Sequence, residues 1–319
     1  MHFNKITWFF YAVDYTLRKK SKLYKRLIPY ARRKMTHNEE ANRLLEQMIL
    51  SGKPFAAARI GLFENAAMRM YEFGWNKKHV LVMNNIYNCA GFFPNDVSLG
   101  DRFNDLYKQS MRSIDILGSN KQLCENYFIN KYMSKSAVVN ESMGLYDVCH
   151  YKHCWTYALE GKKVLVVTPF TESVEQQYKK RERLFIGAEI LPQFELKTYK
   201  SLMTVGDLRD ERFADWFEAL QHMEREILAI DFDIALLGCG AYGFPLAAAI
   251  KKAGRQVVHM GGSLQILFGI MGKRWDGTRV GDTIHIREDI APYYNDDWTY
   301  PIEEKPKDAS KVEYGPYWK

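Results

Sequence analysis

Residues 233–275 read D-I-A-L-L-G-C-G-A-Y-G-F-P-L-A-A-A-I-K-K-A-G-R-Q-V-V-H-M-G-G-S-L-Q-I-L-F-G-I-M-G-K-R-W. Ile234–Leu237 has the length and apolarity of a buried strand, and Gly238, Gly240 and Gly243 mark a turn. The spacing predicts a helix over 241–253, a second strand over 256–260, a second turn at Gly261-Gly262-Ser263 and a second helix over 264–271. Two glycine turns after neighbouring strands can aim backbone N–H groups at one phosphate-bearing ligand, because no side chain stands in the way.

Outward from this block the pattern repeats. Lys163–Thr168 (K-V-L-V-V-T) is a β-branched run that suits a buried parallel strand, Pro169 breaks it, and a polar helix is expected over 173–185. A strand is expected over 194–198 and a long helix over 213–229, carrying the stripe Trp216, Leu220, Met223 and Ile227. Toward the N-terminus the pattern gives a helix over 38–51, a strand over 55–60, a helix over 64–73, a strand over 79–83 with an Asn-rich loop (Asn84, Asn85, Asn88) behind it, a helix over 99–113 and a strand over 115–118. Strands interleaved with helices predict an α/β fold, Rossmann-like and doubly wound, with a mostly parallel sheet. The Pro- and acid-rich tail, 276–319, is expected to wrap the surface.

The net charge of +7 is concentrated at one end. Residues 1–34 carry ten Lys or Arg against a single acid, Asp14, leaving 35 basic and 37 acidic residues elsewhere. A nucleic-acid protein spreads basic surface over its folded domain, so that class is excluded. Residues 1–37 read as a basic amphipathic helical arm attached to a domain over 38–319, with Ile6, Phe9, Phe10, Val13 and Leu17 at helical spacing beside Trp8. Such an arm suits an anionic membrane surface, although the same aromatic face can instead pack on the domain. The five cysteines form no C-x-x-C pair, and the group Cys149, His150, His153 and Cys154 lacks a second ligand pair for zinc, so reduced thiols in the cytoplasm are expected.

The G-x-G-x-x-G match at Gly238, Gly240 and Gly243 invites a nicotinamide-dinucleotide reading. That reading requires an acid about 20 residues on to hold a ribose hydroxyl. The sequence offers His259, Met260, Gly261 and Gly262 there, so the dinucleotide class is set aside. A phosphate cradle needs only the glycines. A second constellation, Arg59-Ile60-Gly61-Leu62-Phe63-Glu64, ends a strand and opens a helix. Arg59 can clamp a diphosphate, and Glu64 can bind a divalent cation, act as a base, or complement the helix dipole. Glu141, Asp115 and Asp147 are weaker candidates for the base. His259 reads as an interior histidine.

With these blocks in view, the chain resembles the GT-D-type glycosyltransferases of bacterial polysaccharide and glycoprotein assembly. The resemblance rests on R-I-G-x-x-E at 59–64, A-G-F-F-P at 90–94, V-L-V-V-T-P-F at 164–170 with Gln176, Gln177 and Tyr178, L-G-C-G-A-Y-G-x-P at 237–245, and the 259–275 block; Trp298, Pro301, Tyr314 and Trp318 close it. It implies a nucleotide-diphosphate sugar donor, often UDP-linked, and transfer to an acceptor hydroxyl; with the basic arm added, a glycan or lipid-linked acceptor at the inner face of the membrane is expected. Arg59 and Glu64 would be catalytic, with Gly61, Gly238, Gly240, Tyr242, Gly243, Gly261, Gly262 and Gln265 around the donor. Members with the fullest motif, R-x-G-D-G-E, hold Mn2+ or Mg2+ with an Asp-x-Glu pair. Here Leu62 stands at the Asp position, and leucine cannot ligate a cation. Glu64 as a metal ligand therefore needs another acid beside it; otherwise Arg59 and backbone amides neutralise the leaving diphosphate, or the chain is an inactive assembly partner.

Overall fold

The computed structural model describes residues 2–204, 208, 210–275, 279–280, 283–284, 286–305 and 317–318. Eight strands form one sheet: β1 (Met35–Thr36), β2 (Phe55–Arg59), β3 (Ile116–Gly118), β4 (Val138–Asn140), β5 (Lys163–Thr168), β6 (Glu195–Lys200), β7 (Ile234–Leu237) and β8 (Gln256–His259). Their spatial order is β1-β4-β3-β2-β8-β7-β5-β6, and every pairing is parallel. The helices are α1 (His2–Lys20), α2 (Lys22–Leu27), α3 (Asn38–Leu50), α4 (Leu62–Glu72), α5 (His79–Ala90), α6 (Gly100–Met111), α7 (Glu125–Tyr132), α8 (Thr171–Tyr178), α9 (Arg181–Leu184), α10 (Trp216–Ala229), α11 (Gly243–Lys252) and α12 (Ser263–Leu267).

The expected doubly wound α/β fold is the fold observed. Alternate strand residues face opposite layers, as the period of two requires. Ala56, Ala58, Leu165, Val167, Ala235 and Leu237 pack under the layer that contains α4 to α7, α10 and α11. Phe55, Ala57, Val164, Val166, Ile234 and Leu236 pack under the layer that contains α3, α8, α9 and α12. From β2 the chain winds to β3 and β4, from β5 it winds the other way to β6, and β7 and β8 fill the middle. Parallel strands all end on one edge, and the reversal of winding opens a crevice there.

Four expectations are corrected. The run His79–Met83 is helical, and its helix α5 extends through Asn84, Asn85 and Asn88, which were expected in a loop. Val82, Met83, Ile86 and Ala90 are buried at helical spacing, and a short apolar run cannot by itself separate the two periods. The expected helix over 173–185 is two, α8 and α9, separated by Lys179-Lys180. In α1, Trp8 lies on the opposite face from Phe9 and Phe10: it packs edge-on against Trp75 at 4.9 Å, while Tyr11 meets Tyr127 at 5.3 Å. Met35 and Thr36, placed in the arm by the sequence reading, belong to the sheet as β1, paired with β4.

The described part of the tail packs onto the domain, with Ile290 and Trp298 buried in its core. Thr299 accepts from Met271 N–H at 2.7 Å, and the Trp298 indole donates to the Leu184 carbonyl at 3.1 Å. Tyr314 lies outside the described residues.

Candidate functional site

Chain segments following β2, β3, β5, β6, β7 and β8 converge on a cleft of about 340 Å³ at the C-terminal edge of the sheet. The two glycine turns form its floor and touch each other. A Cβ on Gly238 would lie 3.0 Å from the Gly261 carbonyl oxygen and 2.8 Å from the Leu264 side chain. Gly261 N–H donates back to the Leu237 carbonyl at 3.1 Å, which ties the second turn to the first strand. Gly240 and Gly261 have φ of 58° and 61°, a region costly for other residues. After the first turn, α11 starts with no side-chain hydrogen bond capping it, so the positive end of its dipole is not offset locally.

Two guanidinium groups flank the second turn. Arg59, half-buried at the end of β2, lies 3.4 Å from where a Cβ on Gly261 would stand. Arg274 approaches the same position on Gly262 to 3.1 Å and sits over the Tyr317 ring at 5.1 Å. Glycine is what lets both arginines close on the turn. Among the described residues Arg59 makes no ion pair within 4.0 Å, so its charge faces the cleft without a bound carboxylate.

Glu64 is the one carboxylate among the described lining residues. It occupies the first turn of α4 and folds back over Gly61, where a Cβ would collide with its carboxylate. Burial pushes its carboxyl above the usual range, against the opposing pull of its own backbone N–H and of Arg59. His259 is also in the cleft wall. Burial, followed by the Arg59 charge, holds its pKa down to about 3, so the ring is neutral. Its Nδ1–H donates to the Leu237 carbonyl at 3.3 Å, in keeping with the expected interior histidine.

Among the described residues, three buried polar atoms on the lining lack a hydrogen-bond partner: Ser201 Oγ, Gln265 Oε1 and Trp318 Nε1. Each is a group that ordinarily costs about 1–3 kcal/mol to leave unmade. The other end of the Gln265 amide donates to the Tyr317 carbonyl at 3.3 Å. Trp318 meets Phe170 edge-on at 5.2 Å, so this end of the cleft is aromatic.

Of the residues singled out in the sequence, Arg59, Gly61, Glu64, Gly238, Gly240, Tyr242, Gly261, Gly262 and Gln265 all line the cleft. Gly243 does not: the His259 ring covers it, 2.2 Å from where a Cβ would be, so the third glycine serves helix–strand packing. Tyr242 is buried, its hydroxyl paired with Thr204 at 2.8 Å and its ring stacked on Trp216. The weaker acids lie elsewhere. Asp115 binds Ala56 N–H and Lys251, Asp147 accepts from Ser263, and Glu141 pairs with His37. Asn84, Asn85 and Asn88 are absent from the lining. His153 bridges Glu46 and Glu189, and no metal-ligating cluster of three or more His, Cys, Asp or Glu occurs among the described residues.

Sequence reasoning missed Arg274, Ser201, Phe170 and Trp318 as lining groups. Arg274 and Trp318 stand inside blocks already marked by the resemblance, so a signal existed for them; Ser201 follows a strand and carries none.

A family model described as a GT-D fold-like domain matches residues 36–267. A solved structure titled as a selenomethionine-substituted domain of unknown function 1792 aligns over 88% of this chain and 95% of that one, at 12% identity and a TM-score of 0.40. No curated protein matches the sequence.

Proposed function

From the premise that this chain belongs to the GT-D-like family, we propose that it transfers a sugar from a nucleotide diphosphate to an acceptor hydroxyl. The observation that carries the reading is the meeting of two abutting glycine turns, two arginines and one buried carboxylate in a single cleft. The diphosphate would lie over Gly238–Gly240 and Gly261–Gly262, with Arg59 and Arg274 beside it. The aromatic end, Phe170 and Trp318, would receive the base, where Ser201, Gln265 and Trp318 offer the unmet polar atoms that fix its orientation.

As the anomeric bond breaks, negative charge grows on the leaving diphosphate. Preorganised guanidinium and N–H donors stabilise that charge in the transition state. Glu64 would take the acceptor hydroxyl proton, and its raised pKa makes it a stronger base than an exposed carboxylate.

Among the described residues, Glu64 has no second carboxylate beside it with which to form a Mn2+ or Mg2+ site. Leu62 is exposed at the rim where a second carboxylate would be needed, and Glu64 is the lone carboxylate on the described lining. No step is therefore assigned to a metal, and the arginines carry the neutralising charge.

Titration calorimetry with UDP, with Mn2+ and with EDTA, tests the donor. Binding of equal affinity in both conditions is expected; no binding in either defeats the reading. A second reading, an inactive assembly partner that retains the cleft, is favoured by Leu62. Donor hydrolysis that Glu64→Gln abolishes excludes it.

A further inference from the structure

We infer that α1 and α2 form a rigid peripheral anchor for an anionic lipid bilayer, fixed to the domain beside α4 and α7. A helix packed on its own domain ordinarily shows a polar outer face. This one is apolar on both sides. Its inner face docks through Trp8 and Tyr11, while Phe9 and Phe10 are 58% and 65% exposed and continue outward into Val13 and Leu17. In α2, Leu23 and Leu27 extend the same exposed character, at 64% and 66%.

The charge is sorted between the faces. Asp14, the single acid of residues 1–34, points inward, where it accepts from Arg18, Tyr24 and Asn126 at 2.8–2.9 Å. Arg18 is bound to Asp14 and to the carbonyls of Ile28 and Pro29, which locks α2 against α1. Arg33 is likewise turned inward, onto carbonyls that follow the end of α7. Lys19, Lys20, Lys22, Lys25 and Arg26 are exposed beside the apolar stripe. Apolar rings flanked by outward cations complement an interface of acyl chains and anionic headgroups. A second copy of the chain is a poor occupant, because a twofold contact would set these cations against their own copies. No described helix is long and apolar enough to cross a membrane, so the contact is one of lying on the surface.

The anchor is joined to the cleft. Tyr30, just after α2, donates to the buried carboxylate of Glu125 at 3.1 Å. Glu125 also accepts from Asn120 N–H at 3.3 Å, and Asn120 lines the cleft. A bilayer bound at α1 and α2 therefore has a fixed position relative to the cleft, which suits an acceptor carried on a lipid.

Co-sedimentation of the full chain with vesicles tests this. Phosphatidylcholine vesicles containing about 30% phosphatidylserine should pellet the protein at least tenfold better than pure phosphatidylcholine. The double variant Phe9→Glu/Phe10→Glu should lose at least tenfold of that binding, and Lys19, Lys20, Lys22 and Lys25→Gln should remove the preference for phosphatidylserine. Both variants should keep the parent's melting temperature and UDP affinity, since the inner face and the cleft are untouched. Equal pelleting by the two vesicle types, or a double variant that binds like the parent, overturns the anchor. So does a dimer that the double variant abolishes with no vesicle binding. Vesicle binding without UDP binding would remove the donor reading alone.

Discussion

Replacing Arg59 with glutamine is the most informative single change in the cleft. Glutamine keeps an amide donor and removes the charge. Hydrogen bonds to charged groups contribute roughly 1.5–3 kcal/mol, which is about 10- to 150-fold in affinity. Three features of the structure place Arg59 in the upper part of that range. It is half-buried, it rests on Gly261, and its charge is felt by both His259 and Glu64. Affinity for UDP should therefore fall by about 100-fold, whereas uridine, which has no diphosphate, should bind within about twofold of the parent. Arg274 is exposed and over the Tyr317 ring, so Arg274→Gln should cost about tenfold, the lower end. Calorimetry, with competition for the weaker ligand, reads all three numbers. If Arg59→Gln binds UDP within threefold of the parent, or loses UDP and uridine equally, Arg59 does not hold the diphosphate.

Glu64→Gln should separate stability from chemistry. Burial raises the folded-state pKa, so as pH rises from the unfolded value of about 4.3 through the raised one, the folded state must give up a proton it favours, and stability declines. The variant should melt higher than the parent near neutral pH, lose that advantage below pH of about 4, and lose transfer by about 10²–10⁴-fold; thermal scans at both pH values and a transfer assay check this. In the parent, the acid limb of kcat/KM should lie above the ordinary carboxylate range and move higher still in Arg59→Gln. Gly238→Ala would press a methyl onto the Gly261 carbonyl and separate the two turns; a loss of about 1–3 kcal/mol in denaturant melts, with UDP binding abolished, is expected.

The parts of the fold that were legible are those where one physical cause dominates. Val164–Val167 and Ile234–Leu237 are buried on both faces and bounded by Pro169 and Gly238, so run length and breakers place them without help from elsewhere. The two turns were legible because glycine is the residue that permits their approach, and the close contacts at Gly238 and Gly261 bear that out in geometry. The α5 segment misled because His79–Met83 is apolar in sequence order, and the period appears once Ile86 and Ala90 are counted. β1 and β4, of two and three residues, are too short to leave a periodic trace; pairing along the sheet edge makes them strands. In the cleft, Arg59 and Glu64 were found through a local motif; Ser201 reaches it through tertiary placement alone, from the end of β6, and Trp318, marked only as part of the resemblance, arrives from the far end of the chain.

The most direct test is a crystal soaked with UDP. The account predicts a diphosphate over Gly238–Gly240 and Gly261–Gly262, within hydrogen-bonding distance of Arg59 and Arg274, with uracil against Phe170 and Trp318. UDP bound at another surface, or a cleft still empty at a saturating concentration, would contradict it.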